Sequence, residues 1–308
     1  MGGARTPILV GPTGIGKTAV ALALAAIWPI EIVSADSRQV YRGLDIATAK
    51  PTPRERQRVV HHLIDLVRPG ERYSAGRFAL EAAQVISSIR QRGNLPVVVG
   101  GTGLYVKALA HGLFAEPPLD RPRRDQMTTV TAGMDHPTLV RWARRLDPGF
   151  AGGGGRQRAA RAIEIAMLTG RPLSWWQRTA AVQGSVDPWI VRLTVPRPVL
   201  HQRILARAEE MVRRGLLEEV ATALAEGAPT AGPGMDGVGV REAVAVLHGQ
   251  LAREALVDAI ATSTRQYAKR QETWFRHQLG DDVLTLDATR PPDQIAAALA
   301  AAWERIAA

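Results

Sequence analysis

The chain has 308 residues, 46% hydrophobic and 22% charged, which is enough to bury one large core or two modest ones. It lacks cysteine, which excludes disulfides, thiolate zinc sites and cysteine nucleophiles, and no apolar run nears the roughly 20 residues that span a bilayer. A net charge of +10 favours polyanionic partners, nucleic acid before an acidic membrane surface, if the cations cluster rather than merely solubilise.

Met1–Pro7 lacks the apolar stretch of a secretory leader, so a cytoplasmic, membrane-free chain is expected. Ile8-Leu9-Val10 reads as a short apolar strand, broken by Gly11-Pro12-Thr13-Gly14, and Lys17–Ala26 as the helix that follows. Glu31–Ser34 is a second strand, Leu63-Ile64-Asp65 a third, Phe78–Arg92 a helix closed by Gly93, and Pro96–Val99 a buried-type strand. From about Leu113 to Gln183 the rhythm changes to arginines, tryptophans and the glycine run Gly152–Gly155, with helices at Thr138–Leu146 and Arg156–Leu168. Trp189–Val195 returns as a strand, followed by helices at Arg197–Arg214 and Glu254–Trp274, a strand at Val283–Leu286 and an alanine-rich helical tail. Such alternation predicts an α/β fold, a parallel sheet flanked by helices, with a helical insertion. Residues 1–112 and 184–308 would form the core and 113–183 the insertion.

Gly11-Pro12-Thr13-Gly14-Ile15-Gly16-Lys17-Thr18 matches G-x-x-x-x-G-K-[ST] in full, with a strand before it and a helix after it. Its amides would cradle phosphate oxygens, Lys17 would reach the terminal phosphate and the Thr18 hydroxyl would ligate Mg²⁺. Typical P-loop NTPases end a later strand in a carboxylate that supports the metal. Here Val97-Val98-Val99 runs into Gly100-Gly101-Thr102-Gly103, and the carboxylate lies after the second strand, at Asp36. Small P-loop kinases can place an acid there too, so this pattern admits phosphoryl transfer as well as another use of a bound diphosphate. An RNA-binding protein with a vestigial loop is a further reading, disfavoured by the intact Gly16-Lys17-Thr18.

Four more segments narrow the choice: Ser34-Ala35-Asp36-Ser37-Arg38-Gln39-Val40-Tyr41, Asp45-Ile46-Ala47-Thr48-Ala49-Lys50-Pro51, His61-His62-Leu63-Ile64-Asp65 and Val99-Gly100-Gly101-Thr102-Gly103-Leu104-Tyr105. With the phosphate loop and Lys269-Arg270-Gln271-Glu272-Thr273-Trp274-Phe275-Arg276, in this order, they resemble the tRNA dimethylallyltransferase family over residues 8 to about 279. The resemblance implies a P-loop NTPase-like fold. It also implies transfer of a dimethylallyl group from dimethylallyl diphosphate to N6 of an adenine beside the tRNA anticodon (position 37). The loop would then hold the diphosphate leaving group, with Mg²⁺ and Arg207; Arg203 is the substitute one turn away.

Asp36 is the candidate general base for the amine proton, with a helix N-cap or a place in the outer shell of the magnesium as its structural alternatives. Asp36, Ser37, Arg38, Gln39 and Thr102 match the family's tRNA-contacting residues, as do Arg124, Gln157, Arg158, Arg161, Lys269, Arg270 and Arg276. Arg158 and Arg161, three apart on a helix, share a face suited to a phosphate backbone. The acceptor would be the anticodon stem-loop of tRNA. No interface pattern stands out, which suggests a monomer. His61 and His62 face opposite sides of an extended segment and suggest no metal site. Two departures from the family are visible. A glycine run replaces the Asn/Asp lead-in before Arg156, and Gly239-Val240-Arg241 stands where Gly-Tyr-Arg is common.

Overall fold

A computed structural model describes residues 5–114, 117–180, 183–280 and 282–307; residues 1–4, part of the leader reading, and the side chains of Arg121 and Ala307 lie outside these. In chain order the elements are β1 (Thr6–Val10), α1 (Lys17–Leu24), β2 (Ile30–Ser34), α2 (Pro53–Arg58), β3 (His61–His62), α3 (Ala75–Gln91), β4 (Leu95–Gly100) and α4 (Gly103–His111). Then follow α5 (Arg121–Ala132), α6 (His136–Leu146), α7 (Gly155–Thr169) and α8 (Leu173–Thr179). The chain continues with β5 (Pro188–Thr194), α9 (Arg197–Arg213), α10 (Leu216–Ala225), α11 (Val240–Leu247), α12 (Leu256–Gln278), β6 (Val283–Asp287) and α13 (Pro292–Ala307).

The strands form one sheet in the order β3-β2-β4-β1-β5-β6, parallel at every pairing. Ile8 of β1 stands opposite Val98 of β4 on one side and Ile190 of β5 on the other. Every residue of β1 and β2 is buried, which is why Ile8-Leu9-Val10 reads as an unbroken apolar run rather than an alternating one. The chain winds to one side of β1 through β2, β3 and β4, then to the other through β5 and β6. In open sheets of this kind ligands bind at the carboxyl ends of the strands where the winding reverses. The loops after β1, β2 and β4 all open there, and the fold is that of a P-loop NTPase.

The third strand differs from the expectation. His61 and His62 pair with Ile32 and Val33, and the chain leaves the sheet where Leu63-Ile64-Asp65 had been expected to continue it. Leu63 and Asp65 adopt left-handed backbone, φ 61° and 57°. The turn delivers Asp65 to Lys50, whose ammonium is 1% exposed and donates to Asp65 (2.5 Å), Asp45 (2.7 Å) and the Tyr41 carbonyl (2.6 Å). Arg56 also donates to Asp65, at 2.8 Å. A buried cation needs such company, and satisfying Lys50 outweighs the three residues of strand expected at Leu63-Ile64-Asp65.

The residues divide into two compact units, one up to Ala110 and from Ser185 onward, the other His111–Gly184. The second is helical, built from α5 to α8 around Leu139, Ala143, Ala159, Ile163 and Leu173. Helix α5 escapes apolar periodicity because its sequence, RPRRDQMTTVTA, is almost wholly polar; Asp120 starts it by accepting the Arg123 amide. Arg156 closes it, donating to the carbonyls of Thr131, Ala132 and Met134 in its last turn. Helix α7 begins at Gly154 in left-handed conformation with no side-chain cap, as the missing Asn/Asp implies. Val240 is 1% exposed, so it serves the core.

Candidate active site

The phosphate loop turns because Gly14 and Gly16 sit at φ 81° and 102°, which a side chain would strain. No side chain caps the start of α1, leaving its amides available to an anion. Lys17 Nζ donates to the carbonyls of Gly11 (2.8 Å) and Pro12 (2.9 Å), folded back on its own loop. Burial lowers its pKa to about 8, with Asp36 opposing and Arg207 assisting that shift. Burial likewise lowers the pKa of Arg207, against the pull of Asp36. Thus Lys17, Arg207 and Asp36, drawn from α1, α9 and the loop after β2, converge at the strand ends. Arg203 is committed elsewhere: it donates to the carbonyls of Ile15 (3.0 Å) and Ala288 (2.9 Å), bracing the loop. That contact separates Arg203 from Arg207.

Asp36 follows β2 and accepts the Arg38 amide at 2.8 Å, a tight turn that leaves a carboxylate oxygen for other work. Thr102 holds this loop to the one after β4: its hydroxyl accepts the Ser37 amide (2.9 Å) and donates to the Ser37 hydroxyl (3.2 Å). The Arg38 guanidinium is ion-paired with Asp236 and donates to the Pro233 carbonyl at 2.8 Å. Gln39 is also spent internally, accepting from Ser34 (2.8 Å) and donating to the Ala49 carbonyl (3.2 Å).

The glycines after β4 permit close approach. A Cβ on Gly100 would collide with the Ala35 carbonyl, and one on Gly103 with the Trp274 ring. The loop after β2 demands this at Gly100, and helix α12 demands it at Gly101 and Gly103. Its Gln271, 8% exposed, accepts the Thr13 amide (2.9 Å) and donates to the Gly101 carbonyl (2.8 Å), tying phosphate loop to glycine turn. One turn earlier Tyr267 lies beside Thr102 and faces Asp36, and burial raises its pKa, so its hydroxyl stays protonated. Gln271 and Tyr267 were not among the sequence-based candidates, although both lie in or beside the segment that carries the resemblance. Lys269, Arg270 and Arg276 project from the same helix into solvent, and Arg270 lies 5.7 Å over the Tyr267 ring. Phe275 is core.

In the helical unit Gln157 and Arg158 are exposed in the first turn of α7. Arg161 is not equivalent to Arg158: it pairs with the buried Glu164 at 2.8 Å, and Arg124 of α5 meets the same carboxylate at 2.6 Å. The shared outward face expected for Arg158 and Arg161 is therefore not formed.

A pocket beneath the loop is lined by Lys17, Thr18, Ser34, Asp36, Gln39 and His61, among others. No cluster of three or more His, Asp or Glu able to ligate a metal occurs among the described residues. A cation at Thr18 would therefore take most of its ligands from diphosphate and water, the preference of Mg²⁺. The site thus fits that ion. His62 belongs elsewhere, bonded at 2.6 Å to Glu31. Arg92 first, then Asn94 and His62, hold that carboxyl down at about 2.

The arrangement can grip a diphosphate with amides and two cations, and can set a carboxylate beside the reacting centre. Comparison with known proteins agrees. The family model for IPP transferase matches residues 39–278 and that for isopentenyl transferase residues 5–68. The tRNA dimethylallyltransferase of Phenylobacterium zucineum is 44% identical over 279 residues, 89% of this chain and 90% of that protein. That of Syntrophobacter fumaroxidans is 42% identical over 273 residues, 87% and 80%. Among solved structures, the tRNA isopentenylpyrophosphate transferase of Bacillus halodurans superposes with a TM-score of 0.70 at 32% identity, covering 98% of this chain and 97% of that one. A eukaryotic dimethylallyltransferase described as acting on tRNA gives a TM-score of 0.77 at 26% identity, covering 97% and 78%. With the phosphate loop, the Asp36 turn and the glycine turn all held by one C-terminal helix, the chain belongs to the IPP transferase family of tRNA dimethylallyltransferases.

Proposed function

We propose that the protein transfers the dimethylallyl group of dimethylallyl diphosphate to N6 of an adenine next to the anticodon of tRNA. The observation that carries this reading is the convergence of Lys17, Arg207 and Asp36 under a complete phosphate loop whose neighbouring strand β4 ends in glycine, not in a carboxylate. The adenine N6 attacks C1 of the prenyl group, the C1–O bond breaks, and its electron pair leaves on diphosphate. Asp36 accepts the proton that N6 loses. The amides of residues 11–18, with Lys17 and Arg207, bind the diphosphate and stabilise charge growing on the bridging oxygen. The Thr18 hydroxyl would hold Mg²⁺, which would supply further positive charge to the leaving group.

The tRNA contacts we assign are Asp36, Ser37, Arg38, Gln39 and Thr102 at the reacting base. Lys269, Arg270 and Arg276 on α12 and Arg124, Gln157, Arg158 and Arg161 of residues 113–183 serve the stem-loop. Arg38, Gln39, Arg124 and Arg161 have protein partners, so their part is to shape the surface or to exchange those partners for RNA. The exposed Gln157, Arg158, Lys269, Arg270 and Arg276 are the direct contacts. Residues 113–183 act as an RNA-binding insertion on the P-loop core, and the enzyme works as a cytoplasmic monomer. Among the described residues no helix is long and apolar enough to cross a membrane. The test is incubation with unmodified tRNA and dimethylallyl diphosphate: adenosine beside the anticodon should gain the mass of one dimethylallyl group. Phosphoryl transfer from ATP without that gain would overturn the proposal.

A further inference from the structure

His61 lines the pocket that holds Lys17, Thr18 and Asp36 and carries an atom the fold leaves unused. Its Nδ1–H donates to the Val59 carbonyl at 2.8 Å. A carbonyl can only accept, so the proton of the neutral ring is on Nδ1 and Nε2 presents a lone pair. Burial lowers the pKa of the ring, keeping it neutral. Nε2 is buried and has no hydrogen-bond partner. Buried polar atoms are rarely left so, because an unmade bond costs about 1–3 kcal/mol. Its polar neighbours in the pocket are engaged by the protein itself: Ser34 bonds Gln39, Gln39 bonds Ala49 and Lys17 bonds its own loop, while Asp36 takes the Arg38 amide and keeps its second oxygen for the reacting base.

What the lone pair awaits must be a donor, small enough for a pocket that also holds Thr18. Neither the diphosphate nor the prenyl chain has a donor to offer. A water bound to Mg²⁺ does, and Mg²⁺ keeps several waters in protein sites. The sheet also lacks a carboxylate at the end of β4, where P-loop enzymes commonly support that hydration shell.

We propose that His61 accepts, through Nε2, a hydrogen bond from a water of the divalent cation held at Thr18, and so positions that cation for the diphosphate. This rests on the diphosphate reading above. His61 would then be a positioning residue that substitutes for the missing carboxylate without adding charge to a site that must bind an anion.

The test measures binding of inorganic diphosphate by calorimetry as Mg²⁺ is raised, with no turnover. H61N keeps a donor near Nδ1 for the Val59 carbonyl and removes only the acceptor at Nε2. The Mg²⁺ concentration that half-maximally tightens diphosphate binding should rise about 10-fold or more, the usual effect of losing a partner of a metal's ligand. H61Q, which places an amide oxygen near Nε2, should restore the midpoint. Should H61N fail to fold, H61Q and H61M pose the same question: both lose the Val59 bond, and only glutamine carries the acceptor. A wild-type midpoint in H61N, or equal midpoints in H61Q and H61M, overturns the role of His61 while leaving the diphosphate reading intact. Wild-type protein that binds diphosphate equally well without Mg²⁺ overturns this inference and the cation assignment together. Wild-type protein that does not bind diphosphate at all overturns the proposed function as well.

Discussion

Lys17 is held in the folded chain at a cost, and that cost is measurable. Its pKa falls from 10.5 to about 8, chiefly through burial. At about 1.4 kcal/mol per pH unit, the difference corresponds to roughly 3 kcal/mol of charge destabilisation near pH 7. Lys17→Met removes the charge but also the bonds to the Gly11 and Pro12 carbonyls, and the side chain is only half-buried. A net gain of about 1–2 kcal/mol remains after each lost bond is set at about 1 kcal/mol and solvent screening is allowed for. In thermal melts at pH 7 the variant should therefore unfold roughly 2–5 °C above the wild type, although it no longer binds donor. The sign follows from proton binding. The unfolded chain keeps the Lys17 proton up to 10.5, while the folded chain releases it near 8. Wild-type stability thus rises with pH across that interval. The variant's advantage should be complete below pH 8, shrink from there, and turn into a deficit by pH 10.5, where the charge term is gone and only the two lost bonds remain. Melts at pH 7, 9 and 10 with and without inorganic diphosphate are the assay. An advantage that is absent at pH 7, or that fails to narrow by pH 10, refutes the reasoning.

Asp36→Asn keeps shape and the Arg38 amide bond but cannot take the proton. Single-turnover rates should fall on the order of 10²–10⁴-fold with tRNA binding retained, and near-normal turnover would remove Asp36 from the chemistry. Arg158→Ala should flatten the plot of log tRNA affinity against log salt by about 0.7–0.9, one phosphate contact, and leave diphosphate binding unchanged. Arg161→Ala should act differently, lowering the melting temperature by leaving Glu164 with a poorer set of partners; equal salt slopes and equal melts for the two variants would contradict the distinction. Gln271→Leu strands the Thr13 amide and the Gly101 carbonyl, at about 1–3 kcal/mol each if they stay dry. It should raise the KM for donor more than it lowers kcat at saturating donor, whereas a merely structural glutamine would lower the fraction of active protein and leave KM alone.

The sequence made the phosphate loop legible because its parts are contiguous: a strand, three glycines, a lysine and a threonine that mean something in that order. Asp36 was legible for the same reason. What escaped were contacts between residues far apart in the chain. Gln271 meets Thr13 across 258 positions and Gly101 across 170, and no local period announces such a pairing. The strand at Leu63 was misjudged because Lys50 and Asp65 compete for the backbone there. Their attraction outweighs the β preference of an apolar run. Arg161 was partly readable: Glu164 follows it at i+3, a spacing that pairs opposite charges on a helix. That Arg124 joins them from α5 depended on packing that periodicity does not reveal.

Helix α12 explains why a basic C-terminal segment stands so far from the loop it serves. Its inner residues fix the site: Gln271 spans phosphate loop and glycine turn, Trp274 presses on Gly103, and Tyr267 stands with Thr102 beside Asp36. Its outer residues, Lys269, Arg270 and Arg276, offer charge to a polyanion. Only a continuous helix can do both without slack, since residues four apart share a face while those between them point away. An acceptor bound to the outer face would therefore meet a surface whose backbone is already fastened to the donor loop through one glutamine. This accounts for a buried polar side chain where a leucine would pack as well. Leucine could fill the space, but could not hold an amide of one loop and a carbonyl of the other at fixed separation.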